Sequence, residues 1–426
     1  MRNHFPSRRA FMASAAPLAL FAQEPPRSYD ESKVRPYSLP DPLTFENGHK
    51  VKNRADWERR RVELLRLFEE NVYGKSPGKM KDVSVDAPKI DANAVNGKAV
   101  RKMVTIRFRR ESETRTLDLL MYLPKKRPAP VFVGVNFRGN HTVTNDPDVP
   151  ITTKWVYNNP PAAMNNRSTE ASRGMQASQW PVEQIIDAGY GLATFYSGDM
   201  SPDYNEGFPQ GIEPLFYRTG QTRRDPGEWG ALGAWAWGLS RAMDYFESDP
   251  DIDRRRVAVM GHSRMGKTAL WAGARDTRFA MVVSNCSGAG GATIARRRFG
   301  ESAKDLETHF PWWFCENYAR FSDNEDALPV DQHELLALSA PRPLYIAVAK
   351  EDLGSDPRGQ LLSAVAASPV YKLLGTDGLG ITEMPELSHP VMTRIGFHIR
   401  PGKHDITPYD WAQYLAFAAK YMTGNG

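Results

Sequence analysis

Cysteine is nearly missing from this chain: Cys286 and Cys315 are the only two in 426 residues, so disulfides cannot be its main source of stability. Their spacing leaves open whether they pair. A strong charge of one sign is missing too. Of the formal net charge of +5, three charges belong to Arg2, Arg8 and Arg9 in the first 22 residues, where no Asp or Glu offsets them, which leaves +2 for the rest. So even a balance, with no dense Lys/Arg run, argues against nucleic acid as the partner. No apolar run reaches the roughly 20 residues that cross a bilayer, so the mature protein is expected to be soluble, with no membrane span. There is no internal repeat and no break in composition, which points to one large domain over residues 23–426.

What is present begins with an export signature. Residues 1–22 combine a basic start with a small-residue apolar stretch of about a dozen positions, the plan of a signal peptide. The run Ser7-Arg8-Arg9-Ala10-Phe11-Met12 resembles the twin-arginine type. Cleavage near Ala22 would deliver the protein to the periplasm or outside the cell. At 41% hydrophobic residues the remainder is long enough to bury a large core.

Residues 56–73 carry Trp57, Val62, Leu65, Phe68 and Val72, spaced mostly three or four residues apart, a helical spacing that ends at Gly74. Two strand-like runs follow, KMVTIRF and TLDLLMYL, then APVFVGVNF, continuous enough to be a strand buried on both faces. From there strand and helix signals alternate: GLATFYS, a helix over 229–246, RVAVMG, a helix after Ser263, MVVSN, PLYIAVA, a helix over 361–374, and a last helix over 409–422. Such alternation predicts an α/β fold, a mostly parallel central sheet with helices on both faces. Two long polar stretches, 143–179 and 197–228, interrupt it and are expected to form rim loops.

The stretch RVAVMGHSRMGKTALW holds the chemistry. An apolar strand runs into a turn bracketed by Gly261 and Gly266 and then into a helix, the layout of a nucleophile elbow with Ser263 at its tip. The spacing is Gly-x-Ser-x-x-Gly rather than the commoner Gly-x-Ser-x-Gly, and a serine here would also serve as a helix cap. The partners decide between the two. PLYIAVA runs on through Lys350 to Glu351 and Asp352, and His404 lies in a loop before the final helix. Ser263, Asp352, His404 is the chain order of an α/β-hydrolase triad, in which imidazole takes the serine proton and a carboxylate orients the imidazole. Asp352 is preferred to Glu351, since neighbours at a strand end face opposite ways and only one can meet His404. Arg264 is placed either to hold an oxyanion or as an ordinary surface arginine. His262, beside the serine, reads as a packing or hydrogen-bonding residue rather than the base.

Six separated stretches resemble bacterial glucuronoyl esterases of carbohydrate esterase family 15: NFRGNHT, GAWAWGLSRAMDYFE, GHSRMGK, SGAGGATIARRRFGE, LPVDQHELLALSAPRPLYIA and FHIRPGKHDITPYDW. The resemblance implies the α/β-hydrolase fold and hydrolysis of the ester between 4-O-methyl-glucuronic acid on xylan and lignin alcohols, through an acyl-serine and without metal or cofactor. It implies Ser263 as nucleophile, His404 as base, Arg264 as oxyanion arginine, and Lys267 and Glu301 as contacts to the uronate. Without it, Lys267 and Glu301 read as plain helix and surface charges. Two departures stand out. Some members carry a triad glutamate where this chain has Cys286, and a tryptophan two residues after the acid is here Gly354. His141, after the APVFVGVNF strand, is a candidate for the site or for a turn. Trp313, in FPWWFCENY, is a candidate aromatic wall or a core residue. An acetyl xylan esterase is the nearest alternative function, and a catalytically silent carbohydrate-binding protein a more distant one. The sequence leaves the oligomeric state open.

Overall fold

A computed structural model describes residues 27–423. The export segment, 1–22, lies outside the described residues. Eleven strands build one sheet: β1 (Val83–Val85), β2 (Lys89–Ala94), β3 (Ala99–Arg110), β4 (Glu113–Pro124), β5 (Ala129–Asn136), β6 (Gly191–Tyr196), β7 (Ile252–His262), β8 (Met281–Asn285), β9 (Leu344–Ala349), β10 (Val391–Met392) and β11 (Ile395–Arg400). Their order is β1-β3-β4-β6-β5-β7-β8-β9-β11-β10, with β2 also paired to β3. The six central strands β6, β5, β7, β8, β9 and β11 run parallel. Antiparallel strands flank them on both sides.

The continuous apolar runs follow from this position. Along β5, Val131, Val133 and Val135 pack into one hydrophobic cluster and Phe132 into the other, because successive side chains leave opposite faces and both faces are covered. Helices Ala231–Phe246, Arg264–Arg275 and Pro357–Leu373 contribute Trp235, Leu270 and Leu361 to the first cluster. Helix Pro408–Tyr421 contributes Trp411 and Tyr414 to the second. The helix expected at 361–374 starts earlier, because Pro357 suits a first turn and Asp356 caps it by accepting from the Gly359 N–H at 2.9 Å.

Strand β11 is the one parallel strand that the sequence pattern does not assign. Its six residues are all buried, but His398 and Arg400 interrupt the apolar signal. Both are satisfied by the buried Asp410 carboxylate, at 2.9 Å and 2.8 Å, which is how polar side chains enter a parallel core. Registry pairs Asn136 with Tyr196, Asn285 with His262 and Ala349 with Arg400. The carboxyl ends of the central strands therefore share one edge, the usual place for a site in such sheets. The polar stretches 143–179 and 197–228 form the expected rim, held by short helical turns and a two-stranded ladder of Ala163–Met164 with Arg167–Ser168.

Candidate active site

Ser263 sits where β7 turns into helix Arg264–Arg275, with φ 57° and ψ −130°. A non-glycine residue in that region costs about 1–3 kcal/mol and persists only when its surroundings impose it. Here the imposing contacts are identifiable. The Ser263 N–H donates to the Asn285 carbonyl at 2.9 Å, and its own carbonyl accepts from Gly266 at 2.8 Å. A Cβ on Gly261 would stand 1.9 Å from the Met265 carbonyl oxygen, and one on Gly266 2.9 Å from Ser287 Cβ. The longer glycine spacing thus still serves an elbow: one glycine clears the helix's first turn and the other lets the helix settle on the next loop.

His404 follows β11 in a loop shaped by two clamps. Arg400 donates to the carbonyls of Pro401, Lys403 and Asp405 while its Nε is anchored on Asp410. Glu351 exchanges bonds with Gly402 from the side: its N–H donates to the Gly402 carbonyl at 3.0 Å and its carboxylate accepts the Gly402 N–H at 3.2 Å. The neighbouring Asp352 meets the imidazole, with His404 Nδ1 2.7 Å from Oδ2. An Nδ1–H donated there leaves Nε2 as the proton acceptor. Burial pushes the Asp352 carboxyl up, but hydrogen bonds from His404, Ser355 and Cys286 outweigh it and hold the group below its usual range.

Cys286 occupies a left-handed position, φ 47°, and is 1% exposed. Its ligand atom and those of Asp352 and His404 all lie within 4.8 Å of one another, a separation that would suit a metal. The donor set favours a different use, because burial holds the thiol well above its ordinary pKa and so protonated. The imidazole and carboxylate are already bonded to each other. Both cysteines are buried free thiols.

Ser263, Arg264, His262 and His404 line one open cleft of about 290 Å³, with Phe137 and Tyr157 among its walls. A larger cavity of about 380 Å³ rests against β3 and β4 beside Asp118, Lys154 and Asp199 and contains none of these groups. Arg264 is fixed from behind: its Nε pairs with Asp203 Oδ2 at 2.6 Å, and its guanidinium lies 4.5 Å from the Phe137 ring centre. Asp203 in turn accepts from the indole N–H groups of Trp312 and Trp313 at 2.9 Å and 2.8 Å. Among the described residues the Arg264 Nη groups have no acceptor, so the charged end of the fork is free for a ligand.

Trp313 is 5% exposed and stacked on Phe310 at 3.9 Å. It supports Arg264 and Lys267, whose charged ends lie 5.6 Å and 5.8 Å from its ring centre, instead of forming an open wall. Lys267 donates to the Ser287 carbonyl at 2.8 Å and pairs with Glu301 at 3.4 Å. Burial lowers its pKa and Glu301 opposes that shift. His141 is not brought to the cleft. It is fully enclosed, its Nε2 2.8 Å from Ser172 Oγ, and burial followed by repulsion from Arg173 lowers its pKa to about 4. His262 bonds Asn285 through Nδ1 at 2.6 Å, and Asn285 bonds Tyr414. Burial and the charge of His404 lower the His262 pKa to about 4, so it stays neutral beside the His404 ring, 4.6 Å between centres. Asp203, Asn285 and Arg400 escaped the sequence reading. Each acts through another side chain or a loop, and nothing in its local pattern announces that.

A doubly covered parallel sheet, a serine on a strained elbow and an acid-backed imidazole at one strand edge define a carboxylic ester hydrolase of the α/β-hydrolase type. The family description "Glucuronyl esterase, fungi" matches residues 174–375. Carbohydrate esterase MZ0003, from an unknown prokaryotic organism, is 48% identical over 411 residues, 95% of this chain and 94% of that protein. A structure described as a promiscuous CE15 esterase from the marine bacterial metagenome superposes with a TM-score of 0.88 at 48% identity, covering 93% of this chain and all of the other. The glucuronoyl esterase from Solibacter usitatus does so with a TM-score of 0.87, again at 48% identity, covering 92% of this chain and all of that one. The chain belongs to carbohydrate esterase family 15.

Proposed function

We propose that the protein hydrolyses esters of 4-O-methyl-glucuronic acid, such as those joining glucuronoxylan to lignin alcohols, through an acyl-serine. The observation that carries the reading is the convergence of Ser263 and His404 on one cleft, with Asp352 bonded behind the imidazole. His404 Nε2 takes the proton as Ser263 Oγ attacks the ester carbonyl carbon. Arg264, braced on Asp203, and N–H groups at the helix start stabilise the oxyanion. The carbon–oxygen bond to the alcohol breaks, and the alcohol leaves with the proton from His404. Water repeats the sequence on the acyl-enzyme, returning the proton to Ser263 and releasing the uronic acid.

Lys267 lies one helical turn beyond the nucleophile, Glu301 reaches it from the loop before helix Ala303–His309 at 3.4 Å, and the pair is suited to the hydroxyl groups of the uronate ring. Neither is needed by an acetyl ester, which makes substrate preference the deciding measurement. A benzyl glucuronate ester should be turned over faster than acetylated xylan or a simple acetyl ester; equal or faster acetyl turnover overturns the assignment in favour of a broader esterase. The open space beside Gly354, where an added Cβ meets nothing within 4 Å, and the promiscuity ascribed to one relative are what favour that second reading. Ser263→Ala should abolish turnover of the glucuronate ester and leave sugar binding nearly intact. The domain is a single unit after an export signal, and the enzyme acts in the periplasm or outside the cell.

A further inference from the structure

The amino-terminal segment that crosses the back of this site takes no part in the chemistry described so far. The Ser28 carbonyl accepts the N–H of Gly300 at 2.9 Å. On either side of that bond, Arg27 pairs with Asp305 at 2.9 Å and the Tyr29 ring meets Phe299 edge-on, 6.2 Å between centres. Glu31 pairs with the buried Arg297 and, at 3.4 Å, with Arg358. The far side of the same short segment rests on the acid loop. Gly300 has φ +67°, and an added Cβ would stand 2.6 Å from the Leu353 carbonyl oxygen and 2.7 Å from that of Gly354. The Glu301 N–H donates to the Gly354 carbonyl at 3.0 Å, two residues after Asp352.

Residues 299–301 are therefore held between the amino-terminal segment outside and the Asp352 loop inside. Their one charged side chain, Glu301, reaches Lys267 at 3.4 Å. Arg297 ties the outer contacts inward by also donating to Asp356 at 2.8 Å.

We propose that residues 27–31 are a strap whose function is to position Glu301 for the sugar, so that Arg27, Tyr29 and Glu31, none of which lines the cleft that holds Ser263 and His404, are specificity-determining positioning residues. The proposal rests on the reading of Glu301 as a uronate contact. It requires that loosening the strap weaken sugar recognition while leaving the hydroxyl, imidazole and acid intact, since Asp352 keeps its own bonds to His404 and Ser355.

The test compares the full-length mature enzyme with the combined variant Arg27→Ala, Tyr29→Ala, Glu31→Gln, using benzyl glucuronate and a simple phenyl acetate. The variant should raise KM for the glucuronate about tenfold, the scale expected when a remote change misplaces a binding group, with kcat and phenyl acetate turnover within about twofold of the parent. Tyr29→Phe, which keeps the ring contact, should behave as the parent. An unchanged KM overturns the proposal, as does an equal fall on both substrates, which would indicate general loosening of the fold. Glu301→Gln separates the two levels of inference. If it raises KM for the glucuronate and the strap variant does not, the strap alone is refuted; if it has no effect, the reading of Glu301 and the strap fall together.

Discussion

Adjacent carboxylates at the end of β9 take different work, and the difference is one of direction. Asp352 turns to His404, while Glu351 turns to the backbone of Gly402. Asp352→Asn should lower kcat by about 10⁴ through the wrong imidazole tautomer, and Glu351→Gln by far less; steady-state rates on benzyl glucuronate decide, and the reverse order would exchange the roles. The thiol of Cys286 contributes one of the bonds that keep Asp352 ionised. Cys286→Ala should therefore reduce kcat up to about tenfold, a hydrogen bond's worth, whereas Cys286→Ser, which keeps a donor, should not. At Gly354 the backbone is open and unhindered, so Gly354→Trp should be tolerated and lower KM for an aromatic ester about threefold by supplying a ring platform. Ser263, His404 and Asp352 stood out in the sequence as candidates because the residue types and order of such a triad are restricted by the chemistry. Asp203 was not, because an aspartate in a polar loop looks the same whether or not it braces an arginine.

Elements carry the site as much as residues do. The loop after β6 delivers Asp203 to Arg264, so Asp203→Asn should weaken oxyanion support and cost about 10²–10³ in kcat, with substrate KM little changed. The same loop buries Glu213 completely. Burial raises its pKa to about 7, and Ser201, Arg224 and Arg115 only partly oppose that. The folded protein then holds a proton that the unfolded chain releases near the ordinary glutamate value of 4.5. Stability conferred by the neutral carboxyl is fully present below that lower value and declines as pH rises toward 7. Melting temperatures of the parent and Glu213→Gln should accordingly agree near pH 4 and diverge by pH 8, with the variant more stable. A parallel pair of curves would contradict this. The rim loops were legible as loops from their Asn, Pro, Gly and Asp content. β11 was not legible as a strand, since its buried His398 and Arg400 depend on a carboxylate ten or more residues away.

For the whole molecule, hydrophobic clusters cover both faces of a single sheet, and strands from early and late parts of the chain are interleaved in it. Residues 23–426 should unfold in one calorimetric transition, with calorimetric and van't Hoff enthalpies in agreement; two resolved transitions would divide the domain. No helix among the described residues is long and apolar enough to cross a membrane.

The sequence by itself determined the fold class and the order of every parallel strand but β11, and pointed to Ser263, His404 and Asp352 as candidate nucleophile, base and acid, because burial on two faces and acyl-transfer chemistry each admit few residue types. Only the tertiary structure decided that Glu351 turns to the Gly402 backbone, that His141 is sealed off from the cleft, that Trp313 underlies two cations, and that Asp203 holds Arg264. Those outcomes depend on side-chain direction and on contacts between segments tens of residues apart, and local pattern does not encode either.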